Sequence, residues 1–281
     1  SSRWLNAVYV TATPTEILDL LDLSFVESVQ PVAGGMAATR IVELPLNYGY
    51  SNDQVAQINL DQGPHRSGFL GEDKLIAVLD AGFVGANTVT ISDGLDVIGT
   101  RNFVEGGQNV YQGSSHGFSV LSTMAASMDG TYIGTAPSAS YLLIKTEAEL
   151  SETPEEMINW IAGAEYADSI GVDIINSSLG YSEFDDPLDN YTIADLDGRT
   201  SIISLGAIAA ARTGILVVTS AGNAGGGPWN KITFPADADS ILTVGSVSQF
   251  GQASSFSSRG YTADGRVKPN ICARGEGAVV Y

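Results

Sequence analysis

The chain has 281 residues, of which 13 are Lys or Arg and 32 are Asp or Glu, for a formal net charge of −19. That length can bury a full-sized core in one large domain, with room for a small second one. The acidic balance argues against nucleic acid as a partner. No run of eighteen apolar residues offers a membrane span, and the single cysteine, Cys272, excludes an intrachain disulfide. With no metal-ligand pattern around it, Cys272 reads as a small buried residue.

Residues 1–35 read as a small unit of their own. Trp4 to Val10 alternates with Leu5, Ala7 and Tyr9 on one face, as a strand does. Thr13-Pro14-Thr15-Glu16 opens a helix, with proline near its first turn and an acid at the positive end of its dipole. Ile17, Leu18, Leu20 and Leu21 supply the apolar face. Phe25–Val32 reads as a second strand, and Ala33-Gly34-Gly35 as an exit. Strand, helix and strand in so short a stretch make too little core to stand alone. Residues 36–73 read as a mostly irregular connector. It contains His65, which has no acid or nucleophile motif near it and is expected to be structural.

From residue 74 the texture changes to alternating strands and helices. Continuously apolar, β-branched runs at Lys74–Leu79, Tyr141–Lys145, Val172–Asn176, Ile215–Thr219 and Ile241–Val247 suit strands buried on both faces of a parallel sheet. Helices are predicted over 116–127, 154–169 and 201–213. The second offers Met157, Ile158, Ile161, Ala164 and Tyr166 as an apolar stripe. The third has Ile202, Leu205, Ala209 and Arg212 spaced for one face. This repetition predicts an α/β fold, a three-layer α/β/α sandwich with a mostly parallel sheet.

Ligand sites in such sheets lie beyond the carboxyl ends of the strands. Three chemically useful residues fall there. Asp80 ends Leu75-Ile76-Ala77-Val78-Leu79, Asn223 follows Ile215–Thr219 through Ser220-Ala221-Gly222, and His116 opens a small-residue helix. Each alone has a plain structural explanation, as a turn former, a helix start or a left-handed residue. Jointly, an acid, an imidazole and an amide at matching strand ends favour catalysis. A nucleotide site after the first strand is disfavoured, because Gly82-Phe83-Val84-Gly85-Ala86 does not complete Gly-x-Gly-x-x-Gly.

Several ordered blocks resemble the subtilase (subtilisin-like, S8) family of serine proteases. Ile76-Ala77-Val78-Leu79-Asp80-Ala81-Gly82 is similar to the family's catalytic Asp block, in which Ser or Thr usually follows the acid. His116-Gly117-Phe118-Ser119-Val120 resembles the His block, in which Thr usually follows the glycine. Asn176-Ser177-Ser178-Leu179-Gly180 is similar to the substrate-binding strand, and Thr219-Ser220-Ala221-Gly222-Asn223 to the block that carries the oxyanion-hole Asn. Phe256-Ser257-Ser258-Arg259-Gly260 and Val267-Lys268-Pro269-Asn270 resemble the landmarks before the nucleophile.

The resemblance implies a serine endopeptidase acting on peptide or protein substrates through a Ser-His-Asp triad. Asp80 orients His116, His116 moves the proton, and Asn223 donates to the oxyanion. Ser178, Leu179 and Gly180 would pair with an extended peptide, and Ala221 and Gly222 would line the opposite wall. The family nucleophile sits in a Gly-Thr-Ser block that the short tail after Pro269 does not contain; Ser257 and Ser258 come too early. The expectation is a chain truncated before its nucleophile and inactive alone, with a C-terminal fragment carrying the serine as a candidate partner. The alternative is a non-catalytic, peptide-binding pseudo-protease.

The resemblance also implies that 1–35 is the C-terminal half of an inhibitory propeptide, 36–55 a linker holding the maturation cleavage site, and 56–281 the incomplete catalytic domain. A zymogen of this kind is expected to be secreted or otherwise extracytoplasmic. No cofactor is required. Structural calcium, which subtilases often use, has a candidate loop in Asp185, Asp186, Asp189, Asp195 and Asp197, although solvated loop acids are the plainer reading and no metal ligand is assigned. Phe234-Pro235 resembles the family's Xaa-Pro bond near the substrate pocket and is expected to be cis.

Overall fold

The apolar runs fold into a parallel sheet in the computed structural model, which describes residues 46–92 and 94–281 together with Glu16, Leu20, Leu23, Ser24 and Val26. Its strands are β1 (Leu75–Asp80), β2 (Asp96–Asn102), β3 (Ser140–Lys145), β4 (Ile174–Ser177), β5 (Leu216–Ser220), β6 (Leu242–Val247) and β7 (Ile271–Arg274). They lie in the order β7-β6-β5-β4-β1-β3-β2, and every pairing is parallel. The strand order reverses around β1, which has β3 on one side and β4 on the other. A crevice opens at such a point, beyond the carboxyl ends of the strands.

Alternation along β1 divides the core in two. Ala77 and Leu79 face a layer formed by α3 (Pro154–Ile170) and α4 (Ile202–Arg212), with Trp160, Ala164, Ile203 and Ala207 packed against them. Ile76 and Val78 face α2 (His116–Ala125), whose Phe118, Leu121 and Ala125 recur at helical spacing. A shorter helix, α1 (Asn52–Gln57), lies in what the sequence suggests is irregular chain, and its Val55 packs with Tyr48 and Ile133. Helix α3 starts at Pro154, as the expected span 154–169 does. The Glu156 carboxylate accepts from the Thr153 N–H at 3.2 Å, and Gly171 closes the helix in the left-handed conformation at φ 87°.

Three expectations are corrected here. The stripe Ile202, Leu205, Ala209 and Arg212 of α4 is its solvent face; Ile203, Ala207, Ile208 and Ala210 are buried instead. In α3, Ile158 is exposed, and Trp160, Gly163 and Ala167 join Met157 and Ala164 on the buried side. Cys272 is exposed rather than buried, because β7 is an edge strand.

Beyond β1 the second face of the sheet is only half covered. Ile174, Val218, Leu242 and Val244 are partly exposed there, and Leu216 and Ile271 are each 49% exposed. The register aligns these side chains, Ile174 with Leu216, Val218 with Leu242, and Val244 with Ile271.

Residues Ser1–Val42 and Glu43–Tyr281 form separate compact units. In the first, Glu16 and Leu20 are helical, as Thr13–Glu16 predicts. The chain then turns, with the Leu23 N–H donating to Leu20 O at 3.3 Å and the Val26 N–H to Leu23 O at 2.9 Å. The strands expected at Trp4–Val10 and Phe25–Val32 otherwise lie outside the described residues.

Candidate active site

Parallel register brings the expected residues to one rim. Asp80 is the last residue of β1 and pairs with Lys145 of β3, while Leu79 pairs with Ser177 and Ser177 with Thr219. The segments that leave these strands, beginning at Ala81, Thr146, Ser178 and Ala221, therefore open on the same side.

Asp80 is fully buried, and its Oδ1 accepts the N–H of Ala81 at 2.8 Å. His116, the first residue of α2, reaches over it. Nδ1 lies 2.8 Å from Asp80 Oδ1 and 3.0 Å from Oδ2. This approach requires Gly117, since a Cβ there would stand 2.6 Å from Gly82 O and 2.9 Å from Asp80 Cβ. The helix is pinned at the same place by the Gly117 N–H donating to Gly82 O at 3.0 Å. Facing a carboxylate, Nδ1 carries the proton, and Nε2 is left as the basic nitrogen toward the cleft. The Asp80 hydrogen bond holds the His116 pKa above the ordinary imidazole value, against the opposing effect of burial and with help from the charges of Asp80 and Glu147.

A cleft of about 560 Å³ runs past this pair, lined by His116, Ser178, Leu179, Gly180, Gly222, Asn223 and Thr233 among others. Ser178–Gly180 continue beyond the β4 ladder, and pairing resumes only where Tyr181 bridges Phe234. Gly180 and Gly222 are both set against Thr233; a Cβ would stand 2.2 Å and 2.4 Å from its Oγ1, respectively. Gly222 also has φ 98°, a left-handed conformation that turns Asn223 outward. Ala221, expected on the cleft wall, is 1% exposed and packs in the core. The Phe234–Pro235 bond is cis as expected, and Lys268–Pro269 is cis as well.

Among the described residues no serine hydroxyl is hydrogen-bonded to His116 Nε2. Ser258 Oγ accepts from the Ala224 N–H at 2.9 Å, and Ser257 Oγ accepts from the Ser246 N–H at 2.9 Å; both serines are buried. His65 is 1% exposed, with Nδ1 2.9 Å from the Tyr48 hydroxyl and Nε2 3.0 Å from Thr135 O. Both ring nitrogens are occupied, so this histidine is a core strut.

The sequence reading missed a group of acids in the cleft wall. Glu147, Glu149, Glu152 and Asp185 line it, and Glu156 lies buried beside them. Burial, then the charges of Glu152 and Glu156, pushes Glu147 up to about 8. Burial and the charges of Glu156 and Asp185 push Glu152 up to about 7. Glu147 follows β3 and Glu156 lies in a Thr-x-x-Glu box, so strand-end position was the signal available. In the expected calcium loop three of the aspartates cap local turns. Asp186 accepts from the Leu188 N–H, Asp195 from the Thr192 N–H, and Asp197 from the Arg199 and Thr200 N–H groups.

A carboxylate-held imidazole thus stands beside an open cleft at the carboxyl edge of a parallel α/β sheet. The sequence profile of the subtilase family matches residues 71–280. Subtilisin E of Bacillus subtilis (strain 168) is 34% identical over 206 residues, which cover 71% of this chain and 48% of that protein. Subtilisin of Bacillus pumilus is 33% identical over 206 residues, covering 71% and 66% respectively. The crystal structure of MycP1 with the N-terminal propeptide removed matches at a TM-score of 0.60 and 20% identity, over 83% of this chain and 73% of that one. The chain belongs to the subtilase family of serine proteases, and it spans about half the length of subtilisin E.

Proposed function

We propose that this chain carries the base, the orienting acid and the oxyanion donor of a secreted or otherwise extracytoplasmic serine endopeptidase, and that the nucleophilic serine comes from a segment following Tyr281. The observation that carries the reading is the bond between His116 Nδ1 and the buried Asp80 carboxylate at the mouth of the cleft. In the proposed reaction an extended peptide lies along Ser178–Gly180. His116 Nε2 takes the serine proton as the hydroxyl oxygen attacks the carbonyl, and the Asn223 amide donates to the oxygen that becomes negative. Asp80 stays ionised and stabilises the imidazolium. That imidazolium then protonates the departing amine, and water repeats the sequence to release the acid.

Two further observations support a separate source for the serine. His116 Nε2 has no serine partner among the described residues, and the half-covered face of β4–β7 offers apolar surface for another segment to cover. The chain alone is therefore inactive in this reading. Residues 1–35 are the C-terminal half of its inhibitory propeptide. Maturation cleaves within 36–55, the segment in which the second compact unit begins at Glu43.

A second reading, a peptide-binding pseudo-protease that never carries the serine, uses the same cleft along Ser178–Gly180. Labelling with a fluorophosphonate separates the two. A gene product extended past Tyr281 should label and this chain should not; failure of both to label supports the binding module.

A further inference from the structure

We propose that Glu147, Glu152 and Glu156 form a binding site for one calcium ion in the wall of the cleft that His116 also lines. The three side chains come from different elements. Glu147 follows β3, Glu152 precedes α3, and Glu156 sits in the first turn of α3. Each supplies an oxygen, and all three oxygens lie within 4.8 Å of one another. Calcium holds oxygens at about 2.3–2.6 Å, so ligands on opposite sides of the ion stand up to about 5 Å apart. Magnesium, at about 2.0–2.1 Å, draws them to about 4.2 Å or less and demands octahedral order. An all-oxygen ligand set suits a hard cation, and calcium accepts irregular oxygen geometry where magnesium demands octahedral order.

Acids in a cluster are common on protein surfaces, and two features separate this one from a solvated patch. The Tyr181 side chain is fully buried, and its hydroxyl has no hydrogen-bond partner among the described residues. The charges acting on that hydroxyl are, in descending order, those of Glu147, Glu156, Glu152 and Asp80, so it faces the cluster. The second oxygen of Glu147 is likewise buried and unpartnered. A buried hydroxyl beside carboxylates it does not touch marks a gap that a bridging species fills. Asp185, whose Oδ2 accepts the Glu152 N–H at 3.1 Å, holds the Glu152 backbone from outside, and the Glu156 oxygens accept from the Ala148 and Thr153 N–H groups. Such outer bonds orient the ligands.

The ion would tie the end of β3 to the start of α3 and fix one wall of the cleft. This assignment rests on the cluster's own geometry and stands whether or not the chain belongs to a working protease.

The test is calorimetric titration of the chelator-treated chain with calcium chloride. One calcium per chain is expected, with magnesium at least about tenfold weaker. Glu147→Gln and Glu152→Gln should each lower calcium affinity by about 10-fold or more. Both keep the side-chain shape and remove only charge, so folding survives in at least one of them. Asp195→Asn/Asp197→Asn should leave binding unchanged. The site is overturned if the wild-type chain takes up no calcium, if neither glutamine variant weakens binding, or if binding disappears in the aspartate variant.

Discussion

Nδ1 of His116 lies 2.8 Å from one oxygen of Asp80 and 3.0 Å from the other, although the two residues are 36 positions apart. The carboxylate is buried and the imidazole reaches it from the first turn of α2. One nitrogen is thereby committed to an anion, and the other is presented to the cleft.

That relationship fixes how His116 titrates. Its pKa is raised, chiefly by the Asp80 hydrogen bond, so NMR titration of the ring should give a midpoint above about 6.5, the ordinary imidazole value. Asp80→Asn should bring the midpoint down. The sign for stability follows from linkage. The folded state favours the imidazolium, so this contribution is fully present below the unfolded pKa and is lost as pH rises through the folded one. A midpoint at or below that of a model imidazole, or one unmoved by Asp80→Asn, contradicts the geometry.

Gly117 carries the close approach of α2 to β1. A methyl group there meets Gly82 O at 2.6 Å and the Phe83 ring at 2.8 Å, both in buried surroundings. Gly117→Ala should destabilise the chain by about 1–3 kcal/mol, as overpacking does. It should also shift the His116 ring resonances, because the helix can relieve the contact only by drawing the imidazole away from Asp80. Urea denaturation and the same NMR spectra check both effects. Unchanged stability would mean that the helix has slack.

The half-covered face of β4–β7 should bind an apolar dye such as anilinonaphthalene sulfonate, and the chain should self-associate as its concentration rises. Replacing Leu216 and Ile271, each 49% exposed, by threonine should reduce both effects with little loss of stability. Absence of dye binding in the unsubstituted chain would mean that the face is covered.

Much of this arrangement was legible in the sequence, for reasons that differ between elements. β1, β3, β4, β5 and β6 are apolar on both faces and announce themselves as runs. The edge strands β2 and β7 do not, because Asp96–Asn102 and Ile271–Arg274 mix polar residues with apolar ones. Helix α3 is legible as the span 154–169, but its buried face is not. Trp160, Gly163 and Ala167 face the sheet because small residues admit close packing and Trp160 finds Ser177 Oγ at 2.9 Å, while Ile158 is left outside. Apolarity alone misassigned that face, and that of α4.

Around the cleft, Asp80 ends β1, His116 begins α2 and Asn223 lies in the turn that follows β5, and these positions are what single them out in the sequence. The acid group of Glu147, Glu152 and Glu156 was not legible. Its members come from a loop, a helix start and a turn, and no local pattern joins Glu147 to Glu156 or Tyr181.

The two histidines offer the most direct test of the account. Peptide hydrolysis is measured for a gene product extended past Tyr281, alongside its His116→Ala and His65→Ala variants. His116→Ala should lower kcat by about 10⁴-fold or more while the protein stays folded. His65→Ala strands the Tyr48 hydroxyl, and it should cost about 1–3 kcal/mol of stability while leaving the pH profile of the remaining activity in place. An enzyme that keeps its rate without the His116 imidazole, or loses its pH profile without that of His65, contradicts the assignment of His116 as the base.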